Sequence, residues 1–190
     1  MKQIFIMLVG FSQSGKTILS KKILKAFANQ FVRIDSNAIH DFLNKTYSIF
    51  RDDNTIKGKS YELRQKTTKA IHEALIKVLL QNSFSIILGS CNLARERREK
   101  IINSVKRVNK DIKTVIVYNK ISESQLYRNL RKADQRLIRR RGEPVWVDLY
   151  EKVQKPKLEE PKRSEADYFF KHTGENTNNI IKQLKVIIRR

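Results

Sequence analysis

The residues Gly10-Phe11-Ser12-Gln13-Ser14-Gly15-Lys16-Thr17 fit the spacing G-x-x-x-x-G-K-[ST], and each residue type in it answers a demand of phosphate binding. The two glycines permit backbone angles and a closeness of approach that a β-carbon would block, so successive N–H groups can turn into one anion nest. Lys16 would reach the β- and γ-phosphates of a nucleotide. Thr17, where the next helix starts, would offer its hydroxyl to Mg²⁺ while the positive end of the helix dipole faces the phosphates. Gly10, Ser12, Gln13, Ser14, Gly15, Lys16 and Thr17 are therefore the expected nucleotide-binding residues, with ATP or GTP as ligand.

Such a loop needs a strand before it and a helix after it, and both are legible. Ile4–Val9 is a short apolar run, and Ser14–Asn29 carries Ile18, Leu19, Ile23, Leu24 and Phe27 at helical spacing. Phe31–Ile34 reads as a second strand that closes at Asp35. Ala38–Leu43 opens a helix, and Tyr61–Leu80 is a long one with Leu63, Ile71, Leu75, Val78 and Leu79 on its apolar side. Phe84–Leu88 and Thr114–Tyr118 are further apolar runs, separated by a helix over Arg95–Val108. A helix then runs from about Ser122 into an arginine cluster, another lies around Val145–Val153, Tyr168–Phe170 suits a last strand and Ile180–Ile188 a closing helix. This alternation predicts a three-layer α/β/α P-loop NTPase fold, with a mainly parallel sheet of about five strands. A chain of 190 residues suits one domain spanning 1–190.

Composition narrows the partners. The single cysteine, Cys91, cannot form an internal disulfide, and three scattered histidines give no zinc spacing, so a cytoplasmic setting is expected. The N-terminal run leads straight into the phosphate loop and reads as a buried strand rather than a leader. No stretch approaches the roughly 18 apolar residues of a membrane span, and no membrane partner is expected. The 40 Lys and Arg against 19 Asp and Glu give +21, which would steer polyanions toward the chain, although the lysines are spread along its whole length.

The loop alone does not choose between kinases, GTPases and motors. A guanine-reading N-K-x-D would need an acid where Ser122 follows Asn119-Lys120, and a motor would end a strand in acids where Phe84–Leu88 ends in Gly89 and Ser90. Small kinases remain. These close an arginine-rich lid over the transferring phosphoryl group, and Arg128, Arg131, Arg136, Arg139, Arg140 and Arg141, up to Gly142, occupy the expected place. The same arginines also suit a solvated helix face or a nucleic-acid patch. Asp52 and Asp53 belong to a polar loop, His72 to an amphipathic helix as a structural residue, and Trp146 either packs on the lid or stacks on a base.

With these stretches in view, the chain from Ile4 to Phe170 resembles the P-loop kinase family of polynucleotide 5′-hydroxyl kinases and zeta-toxin-like small kinases. The resemblance rests on the phosphate loop, on Arg33-Ile34-Asp35-Ser36-Asn37-Ala38-Ile39-His40, on Ile87-Leu88-Gly89-Ser90-Cys91-Asn92-Leu93 with Arg97 and Arg98, and on the lid with Glu143-Pro144-Val145. It implies an ATP- and Mg²⁺-dependent transfer of the γ-phosphoryl group to a hydroxyl of a nucleoside, nucleotide, nucleic-acid end or related small molecule. In the family a D-x-x-R element supplies a base and a substrate-holding arginine. Aligned on Asp41-Phe42-Leu43, those places fall on Asn37 and His40, and Ser90 stands where many relatives have a metal-placing aspartate.

Asp35 is the nearest carboxylate. It either serves as base and metal ligand or caps the helix that starts near Ala38. The expected catalytic set is Lys16, Asp35, Arg131, Arg136 and Arg139, with Thr17 and Asp35 toward the metal. Two other readings stay open: a regulatory nucleotide-binding protein with little or no transfer, and a basic nucleic-acid-binding ATPase.

Overall fold

The computed structural model describes residues 2–27, 30–50, 59–141 and 144–189. Asp52, Asp53, Gly142 and Glu143 lie outside them, and so do the side chains of Arg139 to Arg141.

Strand β1 (Ile4–Val9) is fully buried along its whole length, as an apolar run flanked on both faces must be. It lies at the centre of a five-stranded sheet with β2 (Phe31–Ile34), β3 (Ser85–Leu88), β4 (Lys113–Asn119) and β5 (Tyr168–His172), in the order β2-β3-β1-β4-β5. Every pairing is parallel, with Phe5 opposite both Ile86 and Thr114. The side-chain period of two splits β1 between two cores. Ile4, Ile6 and Leu8 meet Leu19 and Ile23 of helix α1 (Lys16–Ala26), while Phe5, Met7 and Val9 face the opposite layer.

That opposite layer is built from α3 (Lys59–Gln81) and α4 (Arg95–Val108), through Ile76, Leu80, Ile102 and Val105. The α1 side is completed by α7 (Thr177–Arg189), through Ile180, Leu184 and Ile187. A shorter helix, α2 (Ser36–Thr46), follows β2. The long helix α5 (Glu123–Arg141) carries the arginine cluster and returns through α6 (Trp146–Leu149), which widens into a π-helical turn over Tyr150–Gln154. The expected fold is the one observed.

Two differences from the sequence reading have physical causes. The helix read as Val145–Val153 changes pitch at Tyr150, where aromatic packing takes over from helical spacing. Phe11 and Tyr127 both meet the Tyr150 ring edge-on, at 4.9 Å and 5.5 Å. The helix read as Ser14–Asn29 begins only at Lys16, because Gly15 at φ 91° is its left-handed N-cap and holds the loop before it out of helical geometry.

No helix among the described residues is long and apolar enough to cross a membrane.

Candidate nucleotide and acceptor site

The parallel strands β1 and β3 end beside one another, so the loops that leave them converge. Gly10 N–H donates to the Cys91 carbonyl at 3.0 Å, which ties the phosphate loop to the segment after β3. At φ 146°, a β-carbon on Gly10 would come within 2.9 Å of both the Asn119 carbonyl oxygen and Ser14 Oγ, so only glycine fits there. Gln13, at φ 60°, adopts the left-handed geometry that turns the loop back toward α1.

Lys16 is buried, and its ammonium donates to the Gly10 and Phe11 carbonyls at 2.9 Å and 2.5 Å, folded back over its own loop. Among the described residues it has no carboxylate partner. Ser14 Oγ is buried and unpartnered. A cation held only by carbonyl dipoles, beside an orphaned hydroxyl and a glycine-built hollow, suits a phosphate group.

The first departure from expectation is Arg33, on β2. Its Nη2 donates to Thr17 Oγ1 at 3.3 Å and forms a close ion pair with Asp35 Oδ2, so one guanidinium bridges the start of α1 and the start of α2. Gly89 leaves room for it, since a β-carbon there would lie 3.3 Å from Arg33 Nε. Asp35 Oδ1 meanwhile accepts the Asn37 N–H at 3.0 Å and caps α2. Both roles proposed for Asp35 are thus geometrically open: one oxygen caps, and the other faces Thr17 through Arg33. Asn37 is exposed, while His40 is partly buried, its pKa lowered by burial and by Arg64.

Ser90 sits within 2.6 Å of the Ser36 hydroxyl, so a neutral hydrogen bond occupies the place where relatives carry an acid. Asn92 adopts φ 51°, and its amide donates to the Leu8 and Ser90 carbonyls at 2.8 Å and 3.1 Å. Behind it, Arg98 is wholly buried. Its guanidinium holds the Glu165 carboxylate at 2.6 Å and 3.0 Å and donates to the Asn92 and Leu93 carbonyls. Of the paired arginines after Asn92-Leu93, Arg98 is therefore structural.

The arginine-rich helix docks on the phosphate loop through Asn129, whose amide donates to the Gln13 carbonyl at 3.0 Å. Arg136 lies two helical turns further along the same face, whereas Arg131 is about 200° around the helix from Asn129 at about 100° per residue. Arg131 instead lines an outward groove with Tyr127, Arg128 and Lys132. Helical spacing thus sets Arg136, and not Arg131, on the face of α5 that carries Asn129. Trp146 packs with Leu126, Leu130 and Tyr150, against the buried face of α5.

Sequence reasoning also missed Asp134 and Gln154. Asp134 is buried in α5 and accepts the N–H groups of Val145, Trp146 and Val147 at 2.7, 2.6 and 3.1 Å, which pins the returning helix to the arginine-rich one. Gln154, also buried, accepts from Ser12 N–H at 2.9 Å and donates to Ser12 Oγ at 2.7 Å. In the sequence Asp134 shows only as an acid among the arginines and lysine of α5. Ser122, where a guanine reader would need an acid, caps α5 by accepting the Gln125 N–H at 3.2 Å. Among the described residues no three His, Cys, Asp or Glu cluster as a metal site.

Residues 5–146 match the family AAA_33, described as an AAA domain, and the chain belongs to that family. No curated protein sequence matches it significantly. Among solved structures, a protein from Chloroflexus aurantiacus is similar with TM-score 0.71 and 12% identity, covering 99% of this chain and 97% of that one. A fungal RNA kinase is similar with TM-score 0.59 and 16% identity over 97% of this chain and 85% of its own. A gluconokinase from Sinorhizobium meliloti gives TM-score 0.51 and 19% identity over 94% and 87%. At these identities the likeness establishes the fold, which is that of the P-loop kinases.

Proposed function

We propose that this member of the family is a kinase that transfers the γ-phosphoryl group of ATP to a hydroxyl. The observation that carries the reading is the bridge Thr17–Arg33–Asp35, because it sets the hydroxyl at the start of α1 and the carboxylate at the start of α2 on either side of one guanidinium. A phosphoryl donor and an acceptor hydroxyl need that juxtaposition.

In this reading the loop amides from Gln13 to Thr17 and the Lys16 ammonium hold the phosphates, the Ser12 N–H being held by Gln154 instead, and Thr17 with Asp35 faces Mg²⁺. A bound Mg²⁺ supplies charge neutralisation of the phosphates. Lys16 leaves its carbonyl partners to neutralise phosphate oxygens, Arg136 approaches from the docked helix, and Asp35 takes the acceptor proton once Arg33 releases it. Arg131 joins them only by a rotation of the lid helix. The preference for ATP over GTP rests on Ser122, a helix cap where a guanine-reading acid would stand.

Two observations favour a second reading, a regulatory nucleotide-binding protein with little transfer. The Arg33 ion pair occupies Asp35, and Ser90 offers only a hydroxyl. The test is transfer from γ-labelled ATP to a panel of nucleosides, 5′-hydroxyl oligonucleotides and sugar derivatives. A labelled acceptor is expected. Measurable nucleotide binding with no labelled acceptor and no hydrolysis would sink the kinase reading and leave the second.

A further inference from the structure

Between α3 and α4, beside Leu88 at the end of β3, lies a cavity of about 280 Å³ that none of the roles above uses. Its walls include Lys69, His72, Glu73, Glu96, Arg97 and Lys100. His72 is only 4% exposed, and its Nε2 has no hydrogen-bond partner. Arg97 Nε is likewise buried and unpartnered. A buried donor without a partner costs about 1–3 kcal/mol, so native folds seldom leave two of them on one cavity unless a guest completes them.

The lining says what guest that is. Arg97 stands in the first turn of α4, and Ala94, its N-cap, also lines the cavity, so the positive end of that helix adds to the guanidinium. Burial lowers the Arg97 pKa, with Cys91 and Glu73 opposing the shift, which marks a cation whose water has been taken away and whose charge is only partly answered. With His72 neutral, the cations Lys69, Arg97 and Lys100 outnumber the acids Glu73 and Glu96. The two glutamates can accept hydrogen bonds from hydroxyl groups. At about 30 Å³ per water the space holds roughly nine waters, which suits a small molecule and not a nucleic-acid strand.

The place of the cavity ties it to the acceptor side. Leu88 and Ala94 of its lining flank the segment after β3 that Gly10 ties to the phosphate loop through the Cys91 carbonyl. We propose that this cavity is the subsite for the anionic group, carboxylate or phosphate, of a small hydroxylated acceptor, with Arg97 and His72 as its ligands. This inference rests on the kinase reading above for the word acceptor, but its binding test stands apart from catalysis.

The test uses the full chain, ¹⁵N-labelled and saturated with Mg²⁺–ADP so that the phosphate loop is filled, with the three histidine imidazoles followed by NMR. Inorganic phosphate, acetate and a 5′-hydroxyl oligonucleotide are added in separate titrations. Phosphate or acetate is expected to shift the His72 Nε2 signal saturably, and whichever binds more tightly identifies the anion. Arg97→Gln should weaken that binding at least tenfold while ADP affinity stays unchanged. Should Arg97→Gln fail to fold, the exposed Lys100→Gln should weaken it several-fold. Silence of His72 toward both anions, an undiminished shift in these variants, or a response to the oligonucleotide alone would overturn the proposal. Failure of ADP to bind would instead defeat the kinase reading.

Discussion

Gln154 and Ser12 are joined twice: the glutamine Oε1 accepts the Ser12 N–H at 2.9 Å, and its amide donates to Ser12 Oγ at 2.7 Å. The phosphate loop is thereby braced by the π-helical turn that ends the return from the arginine-rich helix. Movement of that helix and the shape of the loop are coupled through this pair.

Replacing Gln154 by Ala should therefore loosen the loop. Two hydrogen bonds are lost and a buried N–H is left unpaired, so a stability cost of about 1–3 kcal/mol is expected, together with weaker nucleotide binding. Gln154→Glu should weaken nucleotide binding further, because it sets a carboxylate against the loop that holds phosphate. Denaturant unfolding and ADP titration calorimetry check both. Unchanged ADP affinity in Gln154→Glu would show that the brace does not reach the phosphate site.

Lys16→Ala tests the loop itself. The ammonium is the buried cation of the nest and rests on the Gly10 and Phe11 carbonyls. A charge-assisted hydrogen bond contributes about 1.5–3 kcal/mol, so a roughly 10- to 100-fold or larger loss of nucleotide affinity is expected. Retained affinity would mean that nucleotide binds elsewhere.

Most of the fold and part of the site were legible in the sequence. The strands were legible because buried parallel strands read as uninterrupted apolar runs, and Gly10, Gly15, Lys16 and Thr17 because their chemistry is local in sequence. Arg33 was not recognised, since its partners Thr17 and Asp35 meet it only when β2 lies beside the start of α1. Gln154 reaches Ser12 across 142 positions, and no local pattern carries such a contact. The arginine cluster was visible as composition, but which arginine faces the loop depends on the angle around α5, and that was fixed only by the contact of Asn129 with Gln13.

The buried ion pair between Arg98 and Glu165 gives a sharp stability prediction. Burial alone would raise the Glu165 pKa, but hydrogen bonds from Arg98 and the Lys162 N–H hold it below its ordinary value. Removing one partner strands the other charge, so Arg98→Ala or Glu165→Ala should cost about 3–5 kcal/mol, whereas Arg98→Met with Glu165→Leu should recover much of that loss. Urea unfolding of the single and double variants is the measurement. A double variant no better than the singles would point to the Asn92 and Leu93 carbonyls as the main reason for the arginine.

Stability should fall as the solution is acidified from pH 7 to pH 5. Burial lowers the pKa of His72 from 6.5 to about 4, helped by Arg97 and His40 and opposed by Asp35. His40 and His172 are also lowered, first by burial. The unfolded chain therefore binds protons below pH 6.5 that the folded chain refuses, and the difference persists until the folded pKa is reached. Stability is fully present above the unfolded pKa and is lost toward the folded one. His72 alone should account for about 2 kcal/mol between pH 7 and pH 5. His72→Gln should flatten the curve by about that amount, as read from denaturant midpoints at each pH, and an unaltered slope would mean that His72 protonates freely in the fold.

Asp35→Asn separates the two roles that the geometry leaves to one carboxylate. Asparagine caps helices as well as aspartate does, so the Asn37 N–H keeps its acceptor and the cap should survive within about 0.5 kcal/mol. The charge that answers Arg33 is lost, but Arg33 is partly exposed and still reaches Thr17 Oγ1, so the cost of the broken pair should stay near the low end of ion-pair values. Chemistry should respond differently. An amide can neither take a proton nor neutralise a metal, and the loss of a positioned base typically lowers turnover by about 10²–10⁴-fold. With Asp35 as base, ATP turnover should collapse while unfolding midpoints and ADP affinity hold nearly constant. Turnover that survives the substitution would assign Asp35 to the helix cap alone and place proton acceptance on another group.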